Sequence, residues 1–236
     1  MDIVEIFKDA LVYPINNAAS FAIYILLGII FGIALAGTIA GIAASAMANN
    51  IIAILASGTL GVIVSLLIGF MISGYELDII QYGIDRRQDA PSVDLIRQFI
   101  NGVKLFIVNF VYFLIPVIIA SILGIVLQHW ASAIISAIIY IIFGVIAFMG
   151  QCRLAKTEDL GFALAIGDAI GDISRIGLVK VLAFIILVAV IAFILFLIAG
   201  FIVQWNATVG GIIFGILAVY LVFFNGRATG LLYSDV

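Results

Sequence analysis

Six long stretches of this chain contain almost no charged side chain, and this feature restricts the fold more than any other. The hydrocarbon core of a bilayer is about 30 Å thick, so an α-helix needs about 20 apolar residues to cross it. Each stretch is long enough, and together they cover residues 21–43, 51–73, 105–127, 130–149, 178–203 and 208–225. We therefore expect an all-α, polytopic integral membrane protein with six transmembrane helices.

The composition indicates that lipid, and not water, surrounds most of the protein surface. The chain has 236 residues, of which 66% are hydrophobic and 10% are charged, whereas a soluble domain has about 25% charged residues. Too few polar side chains remain to cover a water-exposed surface. We expect membrane lipids as partners.

The distribution of charge predicts the orientation of the helices. All ten Lys and Arg residues lie in the N-terminal segment, the two long connections or the C-terminal tail, and none lies at the tips 44–50, 128–129 and 204–207. An excess of Lys and Arg marks the cytoplasmic side. We expect a multi-pass protein of the cell membrane with cytoplasmic N- and C-termini.

The six helices are predicted to pair as three hairpins, each preceded by a cytoplasmic amphipathic helix. These entry helices are expected at 2–13, 93–104 and about 162–176, where apolar residues recur on one helical face. This order predicts one membrane domain over 1–236, built from three internal repeats with a pseudo-threefold arrangement. The repeats would cover 2–92 with its connection, 93–158 and 159–236.

Few polar groups lie inside the predicted spans. Asn109 is a candidate ligand contact, or it forms a hydrogen bond between helices. Pro116 would kink the third span, which marks either a broken-helix binding site or a packing feature. Ser121 and Ser136 are further candidate ligand or packing positions.

Glycines recur at a spacing of four residues in the first and the sixth span. Gly28 and Gly32 lie in the first, and Gly211 and Gly215 lie in the sixth. Small residues at this spacing allow two helices to approach closely. The four glycines are candidates for packing within one subunit, which we favour, or for self-association.

Sequence features typical of enzymes are absent from this chain. Four acidic residues cluster at 158–172 and could hold a divalent cation, but a solvated polar face is the simpler interpretation. We expect no catalytic residue, no cofactor and no metal. The longest basic run is Arg86-Arg87, so nucleic acid is not an expected partner.

Several short motifs resemble those of a known family. They are Gly74-Tyr75-Glu76 before a charged connection that ends at Pro91, Gly102 and Lys104 before the third span, and Tyr112 with Pro116 inside it. Together they resemble the uncharacterised archaeal membrane family "domain of unknown function 4013". This resemblance implies six membrane helices over nearly the whole chain, an archaeal source and no established activity.

Three functions remain open at this stage. The first is a non-enzymatic membrane scaffold, assembly or interaction protein, whose partner would be a second copy of this chain or another membrane protein. The second is a transporter or channel for a small neutral, apolar or lipid-like molecule, with a cavity lined by Asn109, Ser121, Ser136 and the glycines. The third is a lipid-modifying enzyme that uses the carboxylates at 158–172. We rank them in that order.

Overall fold

A computed structural model describes residues 1–127 and 129–236, including every side chain except that of His129. Within these residues the chain forms helices and no β-strand. Their order is α1 (Ile3–Asn16), α2 (Ala18–Met47), α3 (Ile51–Ile84), α4 (Leu95–Val126), α5 (His129–Thr157), α6 (Leu160–Ala163), α7 (Ile166–Ile176), α8 (Leu178–Trp205) and α9 (Ala207–Tyr233).

Six of the described helices are long and apolar enough to cross a membrane, as the sequence predicts. They are α2, α3, α4, α5, α8 and α9. Asn50 begins α3 because its side chain accepts a hydrogen bond from the amide of Ala53 at 3.1 Å. Asn206 begins α9 in the same way, at 3.0 Å from the amides of Thr208 and Val209. The predicted tip at 128–129 lies outside the described residues, apart from the backbone of His129.

The long helices continue past the predicted spans at the end that carries the charges. Helix α3 runs to Ile84, α5 to Thr157 and α9 to Tyr233. These extensions pack against the shorter helices and form most of the buried core. The core also encloses polar side chains, namely Asp78, Gln98, Asn101, Asp172, Arg227 and Thr229.

The opposite ends of the same helices leave large apolar side chains exposed. Ile52 is 81% exposed, Ile125 is 86% exposed and Trp205 is 90% exposed. Such a surface is unfavourable in water, and lipid covers it without loss. The buried core therefore lies at the charged end of the molecule.

Glycines set the closest contacts between long helices. A Cβ atom at Gly32 would lie 2.0 Å from the carbonyl oxygen of Gly211, so α2 and α9 touch through their backbones. A Cβ atom at Gly74 would lie 1.7 Å from the carbonyl oxygen of Gln98, which places α3 equally close to α4. Helix α9 also packs against α3 and α8, and α7 lies against α5 and α8.

The three expected entry helices differ from one another in the structure. The first segment is α1, whose capping box joins Asp2 and Glu5. The third is divided into α6 and α7. The segment 93–104 does not form a separate helix, because it is continuous with α4 from Leu95 onward. No proline interrupts that stretch, and its buried Asn101 and Gly102 pack against α3.

Candidate functional site

The four polar and proline positions singled out in the spans do not meet in one site. The Oδ1 atom of Asn109 accepts a hydrogen bond from Nε2 of Gln151 at 2.9 Å, which joins α4 to α5. Pro116 is buried in α4. Ser121 is exposed and donates to the carbonyl oxygen of Val117 at 2.8 Å, and Ser136 is half-buried. None of Asn109, Ser121 and Ser136 lines the cavity described below.

The four candidate self-association glycines face one another inside a single chain. Gly28 and Gly32 of α2 lie against Gly215 and Gly211 of α9. All four are buried. An interface between two copies through these glycines would first have to separate α2 from α9.

The acidic residues at 158–172 bind protein groups, and only Asp168 and Asp172 share a partner, which is Arg153. Arg153 donates to Asp168 at 2.9 Å and to Asp172 at 3.0 Å. Asp159 caps α6, and Glu158 accepts from Gln81 at 3.2 Å. The described residues contain no group of three or more His, Cys, Asp or Glu side chains that could hold a metal ion. A cation at this cluster would have to displace a guanidinium group.

A buried carboxylate in α3 organises the contact between α2, α3 and α4. Asp78 accepts from Asn101 at 2.9 Å and forms an ion pair with Arg97 at 2.8 Å. The side chain of Gln98 also donates a hydrogen bond to Asp78, at 3.3 Å, and accepts one from the hydroxyl group of Tyr24. The Nε atom of Arg97 is buried without a hydrogen-bond partner. The carboxylate of Asp78 is bound by Arg97, Gln98 and Asn101, so the layer joins α3 to α4 and stabilises the fold.

A second carboxylate of the same helix faces a cavity. Glu76 is half-buried, and its Oε1 atom accepts a hydrogen bond from Nδ2 of Asn225 at 2.5 Å. The amide of Asn225 is oriented in turn by Thr229, whose hydroxyl lies 3.5 Å from Oδ1. Helices α3 and α9 therefore contribute one polar group each to the same point.

The cavity at this carboxylate–amide pair measures about 350 Å³ and is otherwise almost entirely apolar. Helix α9 lies between α3 and α8, so side chains of all three helices form its walls. Residues from α2, α3, α8 and α9 line it, namely Phe31, Gly69, Ile72, Ser73, Glu76, Val188, Ala192, Phe196, Ala218, Leu221, Val222 and Asn225. Such a site can hold an apolar body and one polar end.

A further cavity of about 350 Å³ adjoins the first between α2 and α3. The two share Phe31, Gly69 and Ser73. Ser65 lines the second cavity, and its hydroxyl oxygen is buried without a hydrogen-bond partner. Together the two cavities form one apolar groove along α3, with Glu76 and Asn225 at its charged end.

Sequence reasoning missed Glu76 and Asn225 because both lie at the boundary of a predicted span. Glu76 follows the predicted end of the second span at residue 73, and Asn225 is the last residue of the sixth. The helical spacing of the residues before Glu76 could have indicated which side chains share its face of the helix. Glu76 shares one face of α3 with Gly69, Ile72 and Ser73, at spacings of three, four and seven residues.

Comparison with known proteins identifies one family. No curated protein and no solved structure matches the chain. Residues 58–204, more than half of the chain, match the family model described as "Protein of unknown function (DUF4013)". This range includes Glu76 and most of the groove, but it ends before α9 and Asn225. The predicted resemblance is confirmed over these residues, and the chain belongs to the DUF4013 family, whose function is unknown.

Proposed function

We propose that this protein binds an amphipathic, lipid-like molecule in the groove along α3, as a carrier or transporter of such a molecule. The observation that carries this proposal is the Glu76–Asn225 pair at the end of an otherwise apolar cavity. A molecule with one polar end and one apolar chain matches this distribution of groups. No catalytic pair of nucleophile and base is part of the proposal.

The wall formed by α8 supports an extended apolar ligand. Val188, Ala192 and Phe196 follow one another at a spacing of four residues, so they form a continuous strip along the helix. The ligand's chain would lie along this strip, away from the charged end, and its polar group would reach Glu76. Apolar ligand groups gain about 0.8 kcal/mol for each buried methylene.

Filling the cavity tests the proposal. Ala192→Trp places an indole among the lining residues, whereas Ala189→Trp places the same group at an exposed position of the same helix. We expect native mass spectrometry of the wild type and of Ala189→Trp, released gently from their membrane, to show a retained lipid-like molecule at fixed stoichiometry. We expect Ala192→Trp to lose it. Equal retention in both variants, or no retention in the wild type, would contradict binding at this cavity.

A non-enzymatic scaffold or assembly protein is the second candidate. It is favoured by a separate apolar cavity of about 490 Å³ between α5, α7 and α8, lined by residues such as Ile142, Ile173 and Leu182. A helix of a partner protein would cover this surface. In the same mass spectra, a retained protein partner or a defined oligomer without lipid would favour this function over ligand binding.

We also propose that the protein lies in the cell membrane as three hairpins with both termini in the cytoplasm. The support is the absence of Lys and Arg from the tips at 44–50, 128–129 and 204–207. A cysteine at Asn50, in a Cys152→Ser background, should react with a membrane-impermeant maleimide added from outside to whole cells. Reaction only after the cytoplasmic side is exposed would reverse the orientation.

A threefold repeat is the last part of the proposal, and three ion pairs support it. Each ion pair joins one of the predicted entry segments to the charged end of a long helix. The pairs are Asp78 of α3 with Arg97 of α4, Arg153 of α5 with Asp172 of α7, and Arg227 of α9 with Asp9 of α1. The last pair joins the end of the chain to its beginning. Three such units would form a closed ring about the membrane normal.

A further inference from the structure

The half-buried Glu76 carboxylate differs from the carboxylates inside the core because it has no positively charged partner. Buried Asp78 pairs with Arg97, and buried Asp172 pairs with Arg153 and Arg175. In the described part of the chain, no Lys or Arg nitrogen lies within 4.0 Å of the Glu76 oxygens. Among the side chains that the structure describes, the neutral amide of Asn225 is its one hydrogen-bond donor.

From this arrangement we infer that the cavity selects amphiphiles whose polar end is a cationic ammonium group. The inference rests on the proposed binding of a lipid-like molecule and specifies its charge. An ionised carboxylate in apolar surroundings is costly unless an opposite charge accompanies it. The chain supplies that charge for buried Asp78 and Asp172 and leaves half-buried Glu76 without one. A cationic ligand would supply it and so favour the ionised form of Glu76.

The geometry leaves room for such a group at Glu76. Asn225 bonds to the Oε1 atom, and Oε2 accepts no hydrogen bond within the described structure. An ammonium group carries several N–H donors, so one can bond to Oε2 while the apolar chain leaves along α8. Ser73 also lines the cavity, one helical turn before Glu76, and can accept a second N–H bond. A hydroxyl head group would form one hydrogen bond with the carboxyl group and bring no opposite charge to it.

Three probes separate charge from hydrophobicity: decylammonium, decanol, and ethylammonium, which has the same head group without the chain. Each is titrated into the purified full-length protein in a non-ionic detergent, with binding measured by native mass spectrometry. We expect the wild type to bind decylammonium about tenfold more tightly than decanol, since a charged hydrogen bond exceeds a neutral one by roughly that factor. Ethylammonium should bind much more weakly than decylammonium.

The variant Glu76→Gln retains an oxygen that can accept from Asn225 and removes the charge. We expect it to bind decylammonium and decanol equally, with the affinity for decanol close to that of the wild type. Asp85→Asn is the matched control, because Asp85 is an exposed carboxylate directly after the same helix and does not line the cavity, and it should keep the tenfold preference. Asn225→Ala removes the neutral partner but not the charge, and should also keep the preference for decylammonium.

Each remaining outcome overturns a defined part of the inference. Equal wild-type affinity for decylammonium and decanol would refute the cationic head group but leave the binding of an amphiphile intact. Equal affinity for ethylammonium and decylammonium would identify a site for free cations in place of amphiphiles. Binding of decylammonium that is unchanged in Ala192→Trp would show that the cavity is not the site and would remove the proposed function together with this inference.

Discussion

Arg227 is among the largest side chains that the core encloses completely, and its charge is balanced by one residue of α1. Its Nε atom lies 2.6 Å from Oδ1 of Asp9, and its guanidinium also donates to the carbonyl oxygen of Arg87. The Arg227 side chain is 1% exposed, whereas that of Asp9 is 26% exposed. Loss of the aspartate would therefore leave the more deeply buried charge without its counter-ion.

We expect Asp9→Asn to lower the free energy of unfolding by about 3 kcal/mol, since breaking a buried ion pair leaves an uncompensated charge. Thermal unfolding in detergent micelles, followed by circular dichroism, measures this effect. Asp235→Asn is the control, because Asp235 is 40% exposed in its ion pair with Arg86, where solvent screening limits the loss to about 1 kcal/mol or less. Equal losses in the two variants would show that burial of Arg227 does not determine the effect.

Ionised Asp235 stabilises the folded protein, and this contribution is lost at acid pH. The pKa of this carboxyl lies below its usual value, first because the N-terminal ammonium donates to it and also because Arg86 and Lys180 are close. A lowered pKa in the folded state adds stability above the usual carboxyl value of about 4, and this stability is lost as the pH falls through the folded pKa. We expect the unfolding temperature of Asp235→Asn to change less than that of the wild type between about pH 6 and about pH 3. Parallel curves for the two proteins would exclude this contribution.

At the scale of the element, the glycines of α2 have opposite environments on its two faces. Gly32 is in contact with the backbone of α9, whereas a Cβ atom at Gly37 would have no heavy atom within 4 Å. Both residues are glycines of the same helix, five positions apart, so their intrinsic helix propensity is the same. The sequence pattern predicted close packing at Gly28 and Gly32, but only the structure shows that α9 is the neighbour.

Gly32→Val should separate α2 from α9 and lower the free energy of unfolding by about 3 kcal/mol, as overpacking of a tight contact does. Gly37→Ala should leave this free energy unchanged or raise it by less than about 1 kcal/mol, because alanine favours the helix and touches nothing. The unfolding temperature in detergent measures both. A loss of similar size in Gly37→Ala would argue against the α2–α9 contact as the cause.

The observed helices can be compared with the apolar stretches that predicted them. Hydropathy located all six apolar helices, and three of the predicted membrane spans end at residues 73, 149 and 225, before the helices themselves end. Charged residues past these points were assigned to connections, whereas α3, α5 and α9 continue as helices to Ile84, Thr157 and Tyr233. The span and the helix differ in length because hydropathy measures compatibility with lipid, while a helix outside the lipid is stabilised by packing against other helices.

At the scale of the whole molecule, the contact of α1 with α9 brings the first and the last helix of the chain together. The Asp9–Arg227 pair lies in this contact and is separated by 218 positions in sequence. If three equivalent units form a closed ring, as we propose, this pair has the same role as Asp78–Arg97 and Arg153–Asp172. It also has the greatest separation in sequence of the three.

Exchanging the two charges tests this closure. Asp9→Arg and Arg227→Asp should each lower the unfolding temperature strongly, because each places two like charges in contact. The double variant should recover part of the loss, since it restores the pair but not the bond from Arg227 to Arg87. Losses that simply add in the double variant would mean that the two residues do not interact.

The sequence by itself determined the fold class, the number of apolar helices and the family. These follow from local properties, because the length of an apolar run and the motifs around Gly74 and Tyr112 can be read without knowing what each residue contacts. The candidate site could not be determined in this way. Glu76 and Asn225 are 149 positions apart and meet only because α3 packs against α9, and Asn109 of α4 accepts a hydrogen bond from Gln151 of α5. Where a polar side chain is directed depends on the neighbour that its helix acquires, and only the tertiary structure decides that.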